Sequence, residues 1–320
     1  MGGIGYFVLP EECQLALRAR SPFGPYEAKK VLAQGNTPVN GPHQGAWVHT
    51  KYGEDWFVHF QDKGPYGRVV HLQPLTWKDN WPVIGRVPQR GYCGTPYLSY
   101  RKPKSESRLI VTPQESDSFN LPRLGRQWQW QANYNPSFGM PTSLGFFRLY
   151  TYKTNDNFWN VPNLLLQKTP ADCFTVTAKL TLISKAEGQL GGLIMMGLDY
   201  SSLVVKRVGD GFVLQQMTCR NADKGGAVIV TPLAHLAKTG QDDNDYQFAI
   251  YEEVFLQMKV DGGIVRFAFS RDGKHFKEVG EPFKMREGKW IGAKMGFVAQ
   301  EPNVKSNRGW IDIDWFNVTD

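Results

Sequence analysis

The chain has 320 residues, 41% hydrophobic and 13% aromatic, so it is long and apolar enough to build the cores of two ordinary domains. Its formal net charge is +7, but residues 1–116 hold 14 basic and 9 acidic side chains and the remainder hold 23 and 21, so no dense basic block exists. We therefore expect no nucleic-acid partner, and since no apolar run approaches roughly 20 residues, we expect no membrane span.

The cysteines and the N-terminus leave the cellular compartment open. Cys13, Cys93, Cys173 and Cys219 are far apart and form neither a CxxC pair nor a zinc-type spacing with histidine, so we expect buried or free thiols. The apolar run at residues 4–9 lacks a basic start and meets a proline at its end, so it is not a signal peptide. Localisation stays unknown from the sequence.

The first elements in chain order are short alternating strands. Residues 13–20 alternate leucines with polar side chains, which is the period-two pattern of a half-buried strand. Residues 45–50 and 56–61 flank a turn and predict an antiparallel hairpin, to which residues 68–73 add a third strand. Strands of this kind make most of a propeller blade or one edge of a sandwich. Four of the six histidines lie within residues 40–81, which makes this stretch the first candidate for a site.

Residues 82–112 carry frequent glycine and proline and end in the charged run RKPKSESR, which predicts a linker wrapping the first unit. We place the domain boundaries so that residues 1–95 form the first domain, residues 96–117 the linker and residues 118–320 the second domain.

The second domain predicts an all-β sandwich, because many alternating strands follow at short spacing and no segment predicts a helix. In its last strand, Ile311, Ile313 and Trp315 share one face, and Trp310, Asp312, Asp314 and Phe316 share the other, partly polar face. Trp128 and Trp130 alternate with glutamines; we favour core packing for them over a carbohydrate platform, because aromatic residues on alternating strands are usually buried.

Several motifs resemble a known family. The runs NGPHQGAW and YGRVVHLQP resemble the last blades of glycoside hydrolase family 43, the five-bladed propellers that include β-xylosidases and α-L-arabinofuranosidases. The runs LGRQWQWQANYNP, GFFRLYT and FSRDGKHFKEVG are similar to the sandwich attached to many of them. The resemblance implies an all-β fold, an incomplete five-bladed β-propeller segment followed by a concanavalin A-like (jelly-roll) β-sandwich.

The resemblance also implies hydrolysis of O-glycosyl bonds in xylan-type plant polysaccharides. The family inverts the anomeric centre with a carboxylic acid and a carboxylate base on opposite sides of the bond. A five-bladed propeller needs roughly 250 to 300 residues, so blades are missing here, and we expect the catalytic acid and base upstream of Met1. We therefore assign no catalytic residue and expect the chain alone to be inactive. The local acids lie at turns or strand ends: Glu11, Glu12, Glu27, Glu54, Asp55, Asp62 and Asp79.

Four residues receive roles from the resemblance or from their position. His43 in GPHQG occupies the place of a central-channel histidine beside a bound calcium; a hydrogen-bonded histidine in a tight turn is the alternative. Arg68 in YGRVV matches an arginine that reaches the sugar and the carboxylate that tunes the acid, and its alternative is a surface ion pair. Gln44 and Trp47 flank His43 and are candidate substrate-binding residues, although core packing fits Trp47 equally.

The implied partners follow from these assignments. We expect a xylo- or arabino-oligosaccharide ligand, a structural calcium and no organic cofactor. An open propeller exposes a sheet edge and a blade face, so we expect self-association or a separate N-terminal propeller half. The alternative function is a non-catalytic carbohydrate-binding β-sandwich module. The sequence does not distinguish xylose from arabinose, and the resembled family occurs in extracellular, periplasmic and cytoplasmic forms.

Overall fold

The computed structural model describes residues 4–5, 13–88, 91–107, 109, 111–154, 157–242, 249–302 and 308–320. The chain divides into two units by its internal contacts: unit 1 comprises residues 1–63 and 68–111, and unit 2 comprises residues 64–67 and 112–320. The described residues are almost entirely β-strand and loop, as predicted. Helix among them is confined to single 3-10 turns at Gly64–Tyr66, Pro136–Phe138, Phe158–Asn160 and Ala222–Lys224.

Unit 1 contains two antiparallel sheets. The first has the order β1 (Ile4–Gly5), β2 (Cys13–Arg18) and β3 (Glu27–Ala33). The second has the order β4 (Ala46–His49), β5 (Asp55–Asp62), β6 (Arg68–Lys78) and β7 (Trp81–Ile84). Four strands joined in sequence make the meander of one propeller blade, which agrees with the predicted propeller segment.

Strand β7 corrects the sequence analysis, which assigned residues 82–84 to a linker and predicted no strand there. Asp79 and Asn80 both have positive φ, 50° and 59°, which is the backbone of the two-residue turn that suits a tight hairpin. Residues 81–84 are buried throughout, and Trp81 is 2% exposed. A short run buried on both faces has no alternation, and Pro82 argued against a strand, so the pattern was not recognisable.

The two sheets of unit 1 pack on each other through one apolar cluster. Side chains of the second sheet meet those of the first in the set Ala16, Val31, Leu32, Phe57, Leu75, Trp81 and Ile84. Because successive side chains of a strand point to opposite faces, the residues that alternate with this set lie on the other face of the second sheet. Val48, Val70 and Leu72 lie there, exposed by 42%, 67% and 40%; we call this the open face of unit 1.

Unit 2 is a sandwich of two large, mainly antiparallel sheets. Its strands are β8 (Gln129–Trp130), β9 (Gly139–Pro141), β10 (Phe147–Tyr150), β11 (Tyr152–Lys153), β12 (Leu165–Lys168), β13 (Cys173–Ser184), β14 (Leu190–Met196), β15 (Tyr200–Val208), β16 (Gly211–Cys219), β17 (Val228–Leu236), β18 (Gly240–Asp242), β19 (Ala249–Asp261), β20 (Ile264–Ser270), β21 (Lys277–Lys284), β22 (Lys294–Glu301) and β23 (Trp310–Thr319). The β23 sheet has the order β21-β20-β19-β13-β23-β10-β9, with β18 beside β19. The β22 sheet has the order β17-β16-β15-β14-β22-β12-β8, with β11 beside β22.

The core of unit 2 follows from alternation in these strands. In β13 every second side chain is buried, including Val176 and Leu180 at 0% exposure, and Leu193 and Phe297 face them from the β22 sheet within the same cluster. The predicted β-sandwich is thus confirmed, and its interior is large enough to hold unit 2 together without disulfides.

A β-bulge in β23 overturns the predicted facing of the last strand. Leu180 of β13 pairs with Ile313, whereas the preceding Lys179 pairs with Trp315, so Asp314 is the extra residue. Phe316 therefore enters the core at 1% exposure, and Trp315 faces outward. The expectation that Trp315 shares a face with Ile311 and Ile313 is wrong, because a bulge reverses alternation without any mark in the hydrophobic pattern.

Candidate functional site

The loop before β4 carries His43 and is tied to the end of β5. Asn40 Nδ2 donates to the carbonyl of Asp62 at 2.9 Å, and Asp62 N–H donates to Asn40 Oδ1 at 3.1 Å. The His43 ring is partly buried, and its Nδ1 lies 2.5 Å from the carbonyl oxygen of Gly41. A Cβ at Gly45 would lie 2.2 Å from Phe57 Cζ, so close packing on the core demands glycine there. The loop is therefore held in one position.

The structure brings His43 and Arg68 together around the ring of Phe60. The Arg68 guanidinium carbon lies 4.3 Å from the Phe60 ring centroid, a cation–π distance, and the His43 ring meets the same ring edge-to-face at 5.1 Å. Arg68 Nε also lies 3.3 Å from Asp62 Oδ1. Sequence reasoning missed Phe60. Arg68 of β6 pairs with Asp62 of β5, and Phe60, two residues before Asp62, lies on the same face of β5; this spacing was the available signal.

Trp47 pairs with Phe57 and so lies on the face of the second sheet opposite to that of Phe60 and Arg68, and it does not join His43 and Arg68. Its Nε1 donates to Asp55 Oδ1 at 2.8 Å, and Trp77 Nε1 donates to Asp55 Oδ2 at 3.1 Å. The two indoles meet edge-to-face at 5.1 Å. Both keep substantial exposure, 45% for Trp47 and 39% for Trp77. Trp47 is therefore neither free to move nor buried.

Gln44 is the fourth predicted site residue, and it is exposed. Its φ of 52° places it in the left-handed region, where it reverses the chain direction between His43 and Gly45. Its position next to His43 agrees with the sequence expectation of proximity, while its substrate role stays a prediction.

Asp55 Oδ1 also accepts a hydrogen bond from His49 Nδ1, at 2.7 Å. Partial burial acts to raise the pKa of Asp55, but the hydrogen bonds from His49 and the two indoles outweigh it and leave the pKa lowered. The carboxylate consequently stays ionised at neutral pH. A glycosidase general acid needs a raised pKa, so Asp55 is unsuited to that role.

The other described carboxylates of unit 1 are likewise engaged. Their partners are Arg18 for Glu27 at 2.8 Å, Arg101 for Glu54 at 2.7 Å, Arg68 for Asp62 at 3.3 Å, the Tyr92 hydroxyl for Asp79 at 2.6 Å and Lys51 for Glu106 at 2.6 Å. The Lys104 backbone N–H and then Arg101 lower the pKa of Glu54. Glu11 and Glu12 lie outside the described residues. The described part of unit 1 thus offers no carboxylate suited to act as the acid of an acid–base pair.

Two neighbouring histidines are held neutral. His59 is 2% exposed and stacks on His71 with ring centroids 5.4 Å apart. Burial lowers the pKa of His59 to about 4, and burial also lowers the pKa of His71. In the described residues no group of three or more histidine, cysteine or acidic side chains is placed to hold a metal ion.

The two tryptophans considered as a carbohydrate platform belong to the core of unit 2. Trp128 is 8% exposed and its Nε1 donates to Asp117 Oδ2 at 2.8 Å, while Trp130 packs against the same cluster. The interpretation that favoured packing over ligand binding agrees with this placement.

Comparison with protein families divides the chain much as the structure does. Residues 116–319 match the family described as the β-xylosidase C-terminal concanavalin A-like domain. Residues 5–82 match the family described as glycosyl hydrolases family 43.

Individual relatives point the same way. A relative from Xylanibacter ruminicola, assigned by name to the β-xylosidases, is 32% identical over 91% of this chain and 52% of its own length. A non-reducing end α-L-arabinofuranosidase of Bacteroides ovatus is 27% identical over 99% of this chain and 58% of its own length. The solved structure of a xylan β-1,4-xylosidase from Bacillus halodurans superposes with a TM-score of 0.75 at 18% identity, covering 99% of this chain and 65% of that one.

The chain spans about half the length of the curated relatives it matches. Within the part of the chain that the structure describes, no helix is long and apolar enough to cross a membrane.

Proposed function

Because the chain belongs to glycoside hydrolase family 43, we propose that it contributes the last propeller blades and the β-sandwich of a glycosidase acting on xylosyl or arabinosyl bonds of xylan-type oligosaccharides. The named activities of the relatives support the substrate class. The observation that carries the proposal for this chain's own residues is the convergence of His43 and Arg68 on Phe60.

Arg68 is proposed to bind a sugar hydroxyl or a neighbouring carboxylate. Its guanidinium offers five donors in a plane, and Phe60 and Asp62 restrain its orientation, so part of the entropy of positioning it is already lost before substrate binds. In the complete enzyme, Arg68→Ala is expected to lower kcat/KM by roughly 10- to 100-fold, the size of losing one charge-assisted hydrogen bond. Arg68→Lys keeps the charge but not the planar donor pair and should recover only part of this loss.

The chain alone is proposed to be inactive, because each described carboxylate of unit 1 is already held by a cation or a hydrogen-bond donor. The acid and base would be supplied by propeller residues in the same polypeptide or in a partner chain. Purified residues 1–320 are therefore expected to release no nitrophenol from p-nitrophenyl β-D-xylopyranoside or α-L-arabinofuranoside. Sustained hydrolysis that disappears in Glu54→Gln or Asp55→Asn would overturn this proposal.

The resemblance implies a calcium ion beside His43, but the described residues do not by themselves fit it. Calcium prefers oxygen ligands, whereas His43 offers nitrogen and its Nδ1 already bonds Gly41. We assign the ion no step. Calorimetric titration of the chain with calcium chloride is expected to show no binding, and a site lost in His43→Ala would contradict this.

A further inference from the structure

The bulge at Asp314 partly exposes an aromatic side chain that simple alternation would have buried. If Asp314 took its own place in the ladder, Trp315 would follow Ile311 and Ile313 into the core; because Asp314 is bulged out, Trp315 pairs with Lys179 and its indole lies on the outer face of the β23 sheet. Bulges often redirect a side chain toward a functional surface. The partly exposed Trp315 is therefore a candidate for contact with a ligand.

The outward indole is held in place by its neighbours. The Phe255 ring lies 6.1 Å from it, and Lys179, its partner across the ladder, lies between the strands that carry the two rings. Lys179 Nζ is itself fixed by Asp314 at 2.9 Å and by Glu253 at 3.4 Å. The indole therefore presents a largely preorganised surface, which reduces the entropy lost on binding.

Trp315 lines a cleft of about 470 Å³ between β23 and the segment that precedes the sandwich. This volume lies in the range of roughly 300–1,000 Å³ that is usual for small-molecule sites. The segment before the sandwich forms one wall of the cleft and is bonded to β23. Asp117 and Phe316 exchange two backbone hydrogen bonds, both 2.8 Å, and Val318 N–H donates to Ser116 Oγ at 2.9 Å. The cleft is thus part of the folded sheet.

The polar groups of the cleft favour a neutral ligand. Asn317 is exposed and Gln114 is exposed beside it, and among the described residues neither Asn317 Nδ2 nor Trp315 Nε1 donates a hydrogen bond within the protein. The Asp117 carboxylate accepts from the Phe119 N–H at 2.8 Å and from Trp128 Nε1 at 2.8 Å, so its charge is satisfied internally. The Asn317 amide nitrogen and an aromatic face remain for the ligand, together with Gln114 Oε1, since Gln114 Nε2 donates to the Ser116 carbonyl at 2.9 Å.

We propose that this cleft binds one or two rings of a neutral oligosaccharide. The indole of Trp315 stacks on the C–H face of a sugar ring, and the Asn317 and Gln114 amides bond its hydroxyls. The choice of a glycan rests on the proposed function: a second site on unit 2 would keep a polymeric substrate near the enzyme after each cleavage.

The test is binding by the full chain, residues 1–320, of xylohexaose and of cellohexaose as a comparison, measured by titration calorimetry. Binding of at least one of them at millimolar ligand is expected, weakened at least tenfold by Trp315→Ala and less by Trp315→Phe. The control is Trp290→Ala, since Trp290 is 71% exposed in unit 2 but does not line the cleft. Circular dichroism and thermal unfolding confirm that the variants fold.

Each outcome has a distinct meaning. No binding by the folded wild-type chain, or binding that depends on Trp290 and not on Trp315, overturns the site. Binding of cellohexaose without xylohexaose supports the site but counts against the proposed xylan-type substrate. The hydrolysis assay of the complete enzyme tests that substrate independently.

Discussion

One carboxylate, Asp55, orients three exposed side chains of unit 1, because Trp47, His49 and Trp77 all donate to it. Replacing Asp55 by alanine leaves two indole N–H groups without their acceptor. Hydrogen bonds to a charged group contribute about 1.5–3 kcal/mol, and solvent can replace part of this here, so we expect a loss of about 2 kcal/mol in the free energy of unfolding.

Urea unfolding followed by tryptophan fluorescence measures this loss. Glu27→Ala is the matched control, since its ion pair with Arg18 is exposed and should contribute about 0–1 kcal/mol. Equal effects of the two substitutions would show that Asp55 does no more than an ordinary surface acid.

His59 predicts a dependence of stability on pH. Its pKa falls from 6.5 to about 4 on folding, so the unfolded chain binds the proton more readily than the folded one. The stability is complete above pH 6.5 and is lost progressively as the pH falls toward 4. At about 1.4 kcal/mol per pKa unit, the full loss is roughly 3 kcal/mol.

Hydrogen exchange of the β5 and β6 amides at pH 7.5 and 5.0 checks this prediction, because it isolates unit 1. His59→Gln should remove most of the difference between the two values, whereas the exposed His235→Gln should leave it unchanged. A difference that survives in His59→Gln would assign the effect to another group.

At the scale of elements, the bulge in β23 can be tested by shortening the strand. Deleting Asp314 removes the bulge but leaves Trp315 opposite Lys179 and Phe316 opposite Ala178, so Phe316 stays in the core, where it is 1% exposed. The deletion removes an exposed ion pair of Lys179, so denaturant unfolding should show a loss of no more than about 1 kcal/mol. Phe316→Ala is the contrast, because losing a buried phenylalanine costs about 3–5 kcal/mol; a loss of that size on deleting Asp314 would contradict its role as the extra residue.

The strands differ in how well the sequence predicts them. Long alternating segments such as β5, β6 and β13 were predicted, because period-two patterning follows directly from one buried face. Strand β7 was missed because both its faces are buried, and the facing of Trp315 was wrong because a bulge depends on the partner strand.

The contacts of the candidate site residues were also only partly predictable from the sequence. The sequence pointed to His43 and Arg68, and their common contact with Phe60 depends on the register of β5 and β6 and on a loop anchored by Asn40. Trp47 was grouped with His43 by closeness in sequence, but strand alternation directs it to Asp55.

At the scale of the whole molecule, the two units carry different parts of the proposed activity. Unit 1 holds Arg68 and His43, which we propose to border the substrate, and unit 2 holds the Trp315 cleft, which we propose to retain it. Neither of these two proposed sites supplies the carboxylates that would break the glycosidic bond. Glycan binding by this chain and hydrolysis by the complete enzyme are therefore separable properties, and each has its own assay.

The open face of unit 1 predicts self-association of the chain. Val70 and Leu72 are exposed there by 67% and 40%, and Leu98, 68% exposed, lines a separate pocket of unit 1 together with them. Strand β4 is the edge of its sheet, exposed along its whole length, so its free backbone groups can pair with another chain. Contiguous apolar surface next to an open edge favours contact between copies.

Light scattering coupled to size-exclusion chromatography is expected to show a mass that rises with protein concentration. The double substitution Val70→Lys and Leu72→Lys places charge on the open face and should shift the chain toward monomer. Ile229→Lys is the matched control, because Ile229 is 64% exposed on the edge strand of unit 2. A monomer at every concentration would contradict the prediction, and dissociation caused by Ile229→Lys alone would move the contact to unit 2.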